Sequence, residues 1–586
     1  MDSSQSHSTV GSHVAVIGTG MIGLVAMKNL IEQGLQVTAI EQNEFIGGNW
    51  HLSPRKGQTT ALPWTSFNTS KQTVRIAFHD FCLPAVSTNL RGHQCHYTDF
   101  PFPKDVPTHP PAKDVERYLE AYADNFDLKR HVQFSTKVTK IERDDDANKW
   151  TIYTRSTKSD TENAAEEQQI FDRIVIATGI LNVPVNVNIK GIDKFEGEAV
   201  HSRDFKEPNR YEGKNVLIMG VGATGVDTQS FLKKANAKSI YLSHRGQYYL
   251  LPRMMNGKAF DHTMSLRAMT IIRTLGDWWP RGCAMLFSKA MVSARRKAFP
   301  WLDKHPSFMS PRKLDGVEHR IPTFSNDLAD NLRDGSVKAV TGVKEITGPK
   351  SVTLTDGTVL DDIDAIVVCS GYHYDFSLIK GAGNPTDPKK APDNYKRINA
   401  AKYKDPHDTL PRLYRGFISE QYPESLAVLG HFLIMGPPFV VYDLATMALS
   451  SLWSGQAPIP DQKEMARDIN AHYDMVVETL GRGPVPHMGA RMFGSDTFIW
   501  LNKIAGTGVT DRLLCFSLDA WKLWWNDRKF YDLLTDGVNS PPLLRLFDTG
   551  RGRKTWPGAK EAIIANNEDV KQLGEKWKQE QDKKTK

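Results

Sequence analysis

Two copies of one glycine pattern constrain this chain more than any other feature. The first reads HVAVIGTGMIG, with Gly18, Gly20 and Gly23; the second reads NVLIMGVGATG, with Gly220, Gly222 and Gly225. Each copy follows an apolar run of β-favouring residues and precedes an amphipathic stretch. Such a strand–turn–helix uses glycine where backbone amides and a helix N-terminus must approach a pyrophosphate. One copy alone could be a structural tight turn. Two copies in the same context point to two α/β units, each built around a dinucleotide.

The second strand of each unit ends in an opposite charge. Glu41 closes LQVTAIEQ, 23 residues beyond Gly18, and Arg245 closes KSIYLSHRG, 25 residues beyond Gly220. A carboxylate in that place accepts hydrogen bonds from ribose hydroxyls and repels a 2′-phosphate. A guanidinium suits a phosphate dianion through charge-assisted bonds. The first unit is therefore expected to bind FAD and the second NADPH. Ser243 and Arg245 are the expected grip on the 2′-phosphate, and Thr224, beside Gly225, the hydroxyl that bonds the pyrophosphate.

With 586 residues the chain has room for roughly three to four domains. The opening MDSSQSHSTVGSH is polar, so no secretory signal is expected. The most apolar later run, SLAVLGHFLIMGPPFVVYDLATMALSSLW, is broken by His431, Gly436-Pro437-Pro438 and Asp443, short of a bilayer span. Five cysteines (Cys82, Cys95, Cys283, Cys369 and Cys515) form no CxxC and no metal-ligand spacing. That excludes a disulfide reductase, which needs a redox dithiol beside the flavin, and predicts no metal site and a cytoplasmic setting. The net charge of +7 is accounted for by two polyanionic cofactors and a Lys-rich tail, without nucleic acid. No G-x-S-x-G elbow or HExxH helix gives hydrolysis a foothold.

The expected architecture is α/β: two Rossmann-like dinucleotide-binding domains, the NADPH domain inserted into the FAD domain, with a helical C-terminal extension. Residues 1–190 read as the first part of the FAD domain, closed by the buried strand FDRIVIATG. Residues 191–334 read as the NADPH domain, with a helical excursion near 250–320 rich in Arg, Lys, Met and Trp. A substrate-entry wall and a basic amphipathic surface for peripheral membrane contact are the other readings of that excursion. Residues 335–460, with IVVCSG echoing IVIATG, read as the second part of the FAD domain. Residues 461–586 read as helical and aromatic-rich, for core or homodimer packing.

Between the fingerprints lies Phe195-x-Gly197-x-x-x-His201-x-x-x-Phe205. This resembles the identifying sequence of the flavin-containing monooxygenases, class B flavoproteins; the related Baeyer–Villiger enzymes typically end it in Trp. EQNEFIGGNW, FNTSK, YTDFPFPKDVP, HSRDFKEP, PTFSNDLADNL and DAIVVCSGYHYDF follow the family's order, over roughly residues 13–450. The usual Ala-Thr-Gly of the last motif is Cys369-Ser370-Gly371 here.

The resemblance implies an FAD- and NADPH-dependent monooxygenase. Its flavin C4a-(hydro)peroxide would transfer one oxygen atom from O₂ to a small organic substrate, at soft nitrogen or sulfur or at an activated carbon. A tailoring step in a biosynthetic pathway fits that chemistry. A Baeyer–Villiger reaction on a ketone and a redox-sensing flavoprotein without oxygenase activity are the alternatives. By resemblance Asn68 is the catalytic residue beside the reacting oxygen, and Asn49, Trp50, Thr69 and Val138 join the FAD contacts. His201 is expected to orient the linker between the domains.

Overall fold

In the computed structural model the residues described are 11–51, 96–106, 110–158, 165–181, 183–246, 248–255, 258–259, 262, 265–305, 322–401, 409–433, 438–483, 491–492, 495–514 and 517–585. Strand β1 (His13–Ile17), helix α1 (Met21–Glu32) and strand β2 (Gln36–Ile40) form the first βαβ unit. β1 lies inside a seven-stranded sheet, parallel to β2 on one side and, on the other, to Arg173–Ile176, the central strand. Strands Leu426–Val428, Ile418–Ser419 and Leu413–Tyr414 extend that sheet from Arg173–Ile176. The near-continuous apolar runs of β1 and Arg173–Ile176 are what a strand covered on both faces requires.

Strand β3 (Asn215–Met219), helix α2 (Ala223–Lys234) and strand β4 (Ser239–Ser243) repeat the unit at the centre of an all-parallel five-stranded sheet. β3 is flanked by β4 and by Ala365–Val368; Val337–Val340 and Glu198–His201 form the edges. The chain therefore leaves the first sheet and later returns to it, as an inserted second domain demands. The return comes later than residue 335, however. Val337–Val340 and Ala365–Val368 both belong to the second sheet, so the FAD-domain boundary placed at 335 is corrected to a point after Val368. The echo of IVIATG in IVVCSG was sound, but its meaning is local. Arg173–Ile176 pairs with β1, and Ala365–Val368 pairs with β3 in the same way, so each run closes its own sheet. A three-stranded antiparallel excursion precedes each: Thr136–Asp144, Lys149–Ser156 and Glu167–Phe171 in the first lobe, Val343–Ile346, Val352–Leu354 and Val359–Leu360 in the second.

The excursion at 250–320 contains helices α3 (Leu266–Trp278) and α4 (Pro280–Ala298). The broken apolar run becomes the strand Leu426–Val428 and helix α5 (Pro438–Trp453), almost wholly buried against α1. No described helix is long and apolar enough to cross a membrane. Beyond α5 the described residues are mainly helical, including α6 (Leu518–Asn526) and α7 (Arg528–Asp536), with one short strand at Arg491–Met492.

The C-terminal region does more than pack. Arg545, 1% exposed, reaches the last turn of α1 through Glu32 (3.0 Å) and Asn29 (2.8 Å). It also donates to Thr98 (2.7 Å) and lies 3.2 Å from Asp99 and 3.7 Å from Asp443 of α5. Lys28 pairs with both Glu32 and Asp99. Burial alone would raise the Glu32 pKa, but the charges of Arg545 and Lys28 bring it down to about 2. Burial, with Asp99 nearby, instead holds Asp443 above its ordinary value. Two cations thus face three carboxylates out of water, an arrangement that tolerates the loss of no partner.

Candidate active site

A cavity of about 490 Å³ opens at the C-terminal ends of β1 and β2, where ligands bind in open α/β sheets. Gly18 sits at φ +96°, and a side chain there would meet the carbonyl oxygen of Ala177 at 2.9 Å. At Gly23 a Cβ would lie 1.9 Å from the Gly18 oxygen, so only glycine lets α1 start this close to the turn. Gly20 caps α1 without a side chain, leaving the first-turn amides directed at the cavity. The GGNW segment supplies the opposite wall. Gly47 donates to Thr19 O at 3.0 Å, and a Cβ on Gly48 would lie 3.0 Å from Gly20 Cα. Asn49, Trp50 and Val138 line the same cavity.

Glu41 is buried on its rim, and both of its carboxylate oxygens are held in place. One carboxylate oxygen accepts from the Thr19 amide (2.8 Å) and hydroxyl (2.9 Å), the other from the Asn43 amide (2.9 Å) and side chain (2.8 Å). Sequence reasoning found the carboxylate but missed Thr19 and Asn43, which fix its orientation. Their signal was available: a hydroxyl inside the fingerprint and an amide two residues past the acid.

The far side of the cavity comes from the passages between the two sheets. Thr178 and Gly179 follow the closing strand of the first sheet; His373 and Asp375 follow that of the second; Arg203 comes from the connecting motif. These were also missed, because only the fold brings them to one place. His431, next to cavity-lining Gly430, is buried between Tyr374 and Phe376, and that burial lowers its pKa to about 3. It is a neutral packing residue.

The second fingerprint repeats the first. Gly220 sits at φ +115°, with a would-be Cβ 2.7 Å from Cys369 O, and at Gly225 a Cβ would lie 2.0 Å from Gly220 O. A side chain at Gly222 would meet no protein atom within 4 Å, leaving room for a pyrophosphate at the start of α2. Thr224 lies in that first turn. Arg245 is exposed just past β4 and forms no ion pair or hydrogen bond among the described residues. Ser243 is buried, and its hydroxyl donates to Thr341 O at 2.8 Å, which commits its one proton within the protein. Burial pushes the Cys369 thiol up to about 12, so it stays protonated beside Thr228.

The linking motif is structural. Glu198–His201 is an edge strand, and His201 Nδ1 accepts from the Arg203 amide at 3.1 Å. Gly197 is covered by the Phe195 ring, and Phe205 is buried against Tyr211, rings 5.2 Å apart. Asn68 and Thr69 lie outside the described residues, as do Cys82, Cys95 and Cys515.

These residues fit a resident dinucleotide at the first turn: a side-chain-free helix start, glycines that leave space, and a fixed carboxylate at the ribose position. They fit a second dinucleotide, with an exposed guanidinium, at the other.

Comparison with known proteins agrees. The family model described as flavin-binding monooxygenase-like matches residues 11–585. Monooxygenase aurF of Gibberella zeae is 32% identical over 95% of this chain and 97% of its own length. Dimethylaniline monooxygenase [N-oxide-forming] 2 of Rattus norvegicus is 26% identical over 95% of this chain and 92% of its own. Among solved structures, S-allyl-L-cysteine S-oxygenase from Allium sativum shares the fold, with a TM-score of 0.54 at 18% identity over 96% of this chain and 99% of that one. The paired dinucleotide sites and the match along the whole chain make this protein a member of the flavin-binding monooxygenase-like family, an FAD- and NADPH-dependent monooxygenase.

Proposed function

We propose that the enzyme oxygenates a soft heteroatom, nitrogen or sulfur, of an organic substrate. The observation that carries this reading is the cavity in which the FAD turn meets Arg203, His373 and Asp375 from the passages to the NADPH sheet. Two dinucleotides bound at these turns would bring their reactive ends to that junction. Two further points support a heteroatom over a ketone: the linking motif ends in Phe205, and one relative is named for forming N-oxides.

Bound FAD supplies hydride acceptance from NADPH and the activation of O₂. The chain supplies position and exclusion of water. Gly18, Gly20 and the start of α1 would hold the FAD pyrophosphate, and Glu41 would accept its ribose hydroxyls. Trp50, Leu378 and Tyr442 would wall the junction with apolar surface. Arg245 would neutralise the 2′-phosphate, and Thr224 with the α2 amides the NADPH pyrophosphate. Asn68 is proposed, on sequence resemblance, to hydrogen-bond the reacting oxygen region. The cytoplasm is the proposed setting, supported by free thiols at Cys283 and Cys369.

The test offers the purified protein a thioether and a cyclic ketone with NADPH and isotopically labelled O₂. Labelled sulfoxide is expected; lactone alone would overturn the heteroatom reading, and NADPH loss without labelled product would favour a redox role. Asn68→Ala should retain FAD but divert NADPH oxidation to hydrogen peroxide, and unchanged coupling would remove Asn68 from the site.

A further inference from the structure

We infer that Arg203 is the cation for the diphosphate of FAD, delivered into the flavin cavity from the NADPH domain. The inference rests on the FAD assignment of the first site, not on which atom the enzyme oxygenates. Arg203 follows the strand Glu198–His201, an edge of the second sheet. That strand is in register with Ala365–Val368, Val368 opposite His201, and the Ser202 amide donates to Val368 O at 2.9 Å. The next residue, Cys369, presents the carbonyl that confines Gly220 of the second fingerprint. The backbone of Arg203 is thus tied, through one neighbouring strand, to the NADPH turn. Its side chain nevertheless lines the cavity of the first turn, together with Gly18, Gly20 and Thr178.

Inside that cavity the Arg203 Nε is closed off from solvent with no hydrogen-bond partner, and the side chain forms no ion pair among the described residues. Two carboxylates, Glu41 and Asp375, line the same cavity, and both are turned to other partners. Glu41 is held by Thr19 and Asn43, and Asp375 accepts from the Ser377 amide at 2.8 Å. Lys206, three residues on, adds a second positive charge; burial lowers its pKa to about 8, with Asp204 opposing the shift and Arg203 adding to it. A cation withdrawn from water without a protein partner is costly, so a site that keeps one is built for an anion that arrives.

Position decides which anion. A Cβ on Gly18 would lie 3.5 Å from Thr178 Cα, so the passage through Thr178 and Gly179 abuts the first glycine turn. The passages between the sheets are tied together: Val183 pairs with His373, and the His201 ring meets Tyr372 edge-on at 5.3 Å. The charge of FAD is concentrated in its diphosphate, which the glycine turn and the start of α1 meet with backbone amides. Arg203 adds the full charge those amides lack, and its planar fork suits two phosphate oxygens at once. One domain thereby completes the cofactor site of the other.

The test follows FAD release from the diluted holoenzyme, read as the rise in flavin fluorescence. Arg203→Met keeps an unbranched side chain and removes the charge; it should release FAD about 10- to 100-fold faster than the parent. Arg203→Lys keeps the charge without the fork and should fall between, about 3- to 10-fold faster. At saturating FAD, circular dichroism, NADP⁺ affinity and the flavin midpoint potential should match the parent in both. The inference is overturned if Arg203→Met releases FAD at the parental rate, or if Arg203→Lys is impaired as much as Arg203→Met. If Arg203→Met yields no folded protein, Arg203→Lys decides alone, and release at the parental rate overturns the inference. Parental FAD release with weakened NADP⁺ binding would reassign the cation to the second dinucleotide, and with a lowered midpoint potential to the flavin ring; either overturns it. Sulfoxide against lactone is a separate readout, so each proposal can fail without the other.

Discussion

The two dinucleotide units share their turns and differ at their ends. In both, the third glycine is fixed by a carbonyl that a methyl group would strike, and the first by the residue after the closing strand. Where the second strand ends, the likeness stops. Glu41 is buried and holds four hydrogen bonds from Thr19 and Asn43. Arg245 is exposed and has no partner among the described residues. A recognition group already locked in place costs little ordering when its ligand arrives, as suits a cofactor that stays bound. An exposed guanidinium on a flexible stem suits a reductant that comes and goes. The same fold is thus finished once for residence and once for exchange.

That comparison can be broken or sharpened by experiment. The largest effects belong to the shared part. Gly23→Ala and Gly225→Ala should each cost about 3 kcal/mol or more, since backbone oxygen cannot yield to a Cβ at 1.9 or 2.0 Å. The first should purify without flavin and the second keep flavin but fail to be reduced by NADPH. Equal flavin loss in both would contradict separate sites.

The pH limbs should then be traceable to named groups. Glu32 titrates at about 2 in the folded chain against an ordinary 4.5, so its contribution is complete above pH 4.5 and lost as pH falls towards 2. His431, lowered from 6.5 to about 3, likewise favours the fold above pH 6.5 and opposes it as pH falls through that window. Both belong to the FAD unit. Cys369 in the NADPH unit is raised from 9.0 to about 12, so its contribution is complete below pH 9 and lost as pH rises. Flavin release followed by absorbance should therefore have an acid limb, one that His431→Phe weakens, while Cys369→Ala should soften only the alkaline limb of NADPH binding.

Arg245→Ala should raise the NADPH KM by about 10- to 100-fold and leave NADH within about twofold. Equal losses for both would end its assignment to the phosphate. The smallest effect on stability is expected at Gly222→Ala, under about 0.5 kcal/mol, because no protein atom lies near the added methyl. NADPH affinity should nevertheless drop, and an unchanged affinity would mean that no pyrophosphate approaches that turn.

The glycines, Glu41 and Arg245 were legible in the sequence because each unit is local: a turn and the strand about 25 residues on share one βαβ fragment. The boundary at 335 was misread because IVVCSG resembles IVIATG for a reason that holds in both sheets, and a strand's sequence does not say which neighbour it will join. Arg203, His373 and Asp375 were hidden for a similar reason, since three distant segments meet only after both sheets are assembled. The exposed Leu518, Trp521 and Trp525 of α6 were visible as a periodic pattern, but apolar periodicity alone does not tell a buried face from an exposed one.

Arg545 carries a consequence for how the molecule is made. Its partner Glu32 lies 513 residues earlier in the chain. At about 5–20 residues per second, a ribosome would need roughly half a minute or more to reach it. Through that interval Lys28 alone faces Glu32, Asp99 and, once synthesised, Asp443, and the nascent first lobe must keep those carboxylates hydrated. The charge cluster at the end of α1 can thus be completed only after nearly the whole chain has emerged, and a truncation before residue 545 would leave its carboxylates one cation short.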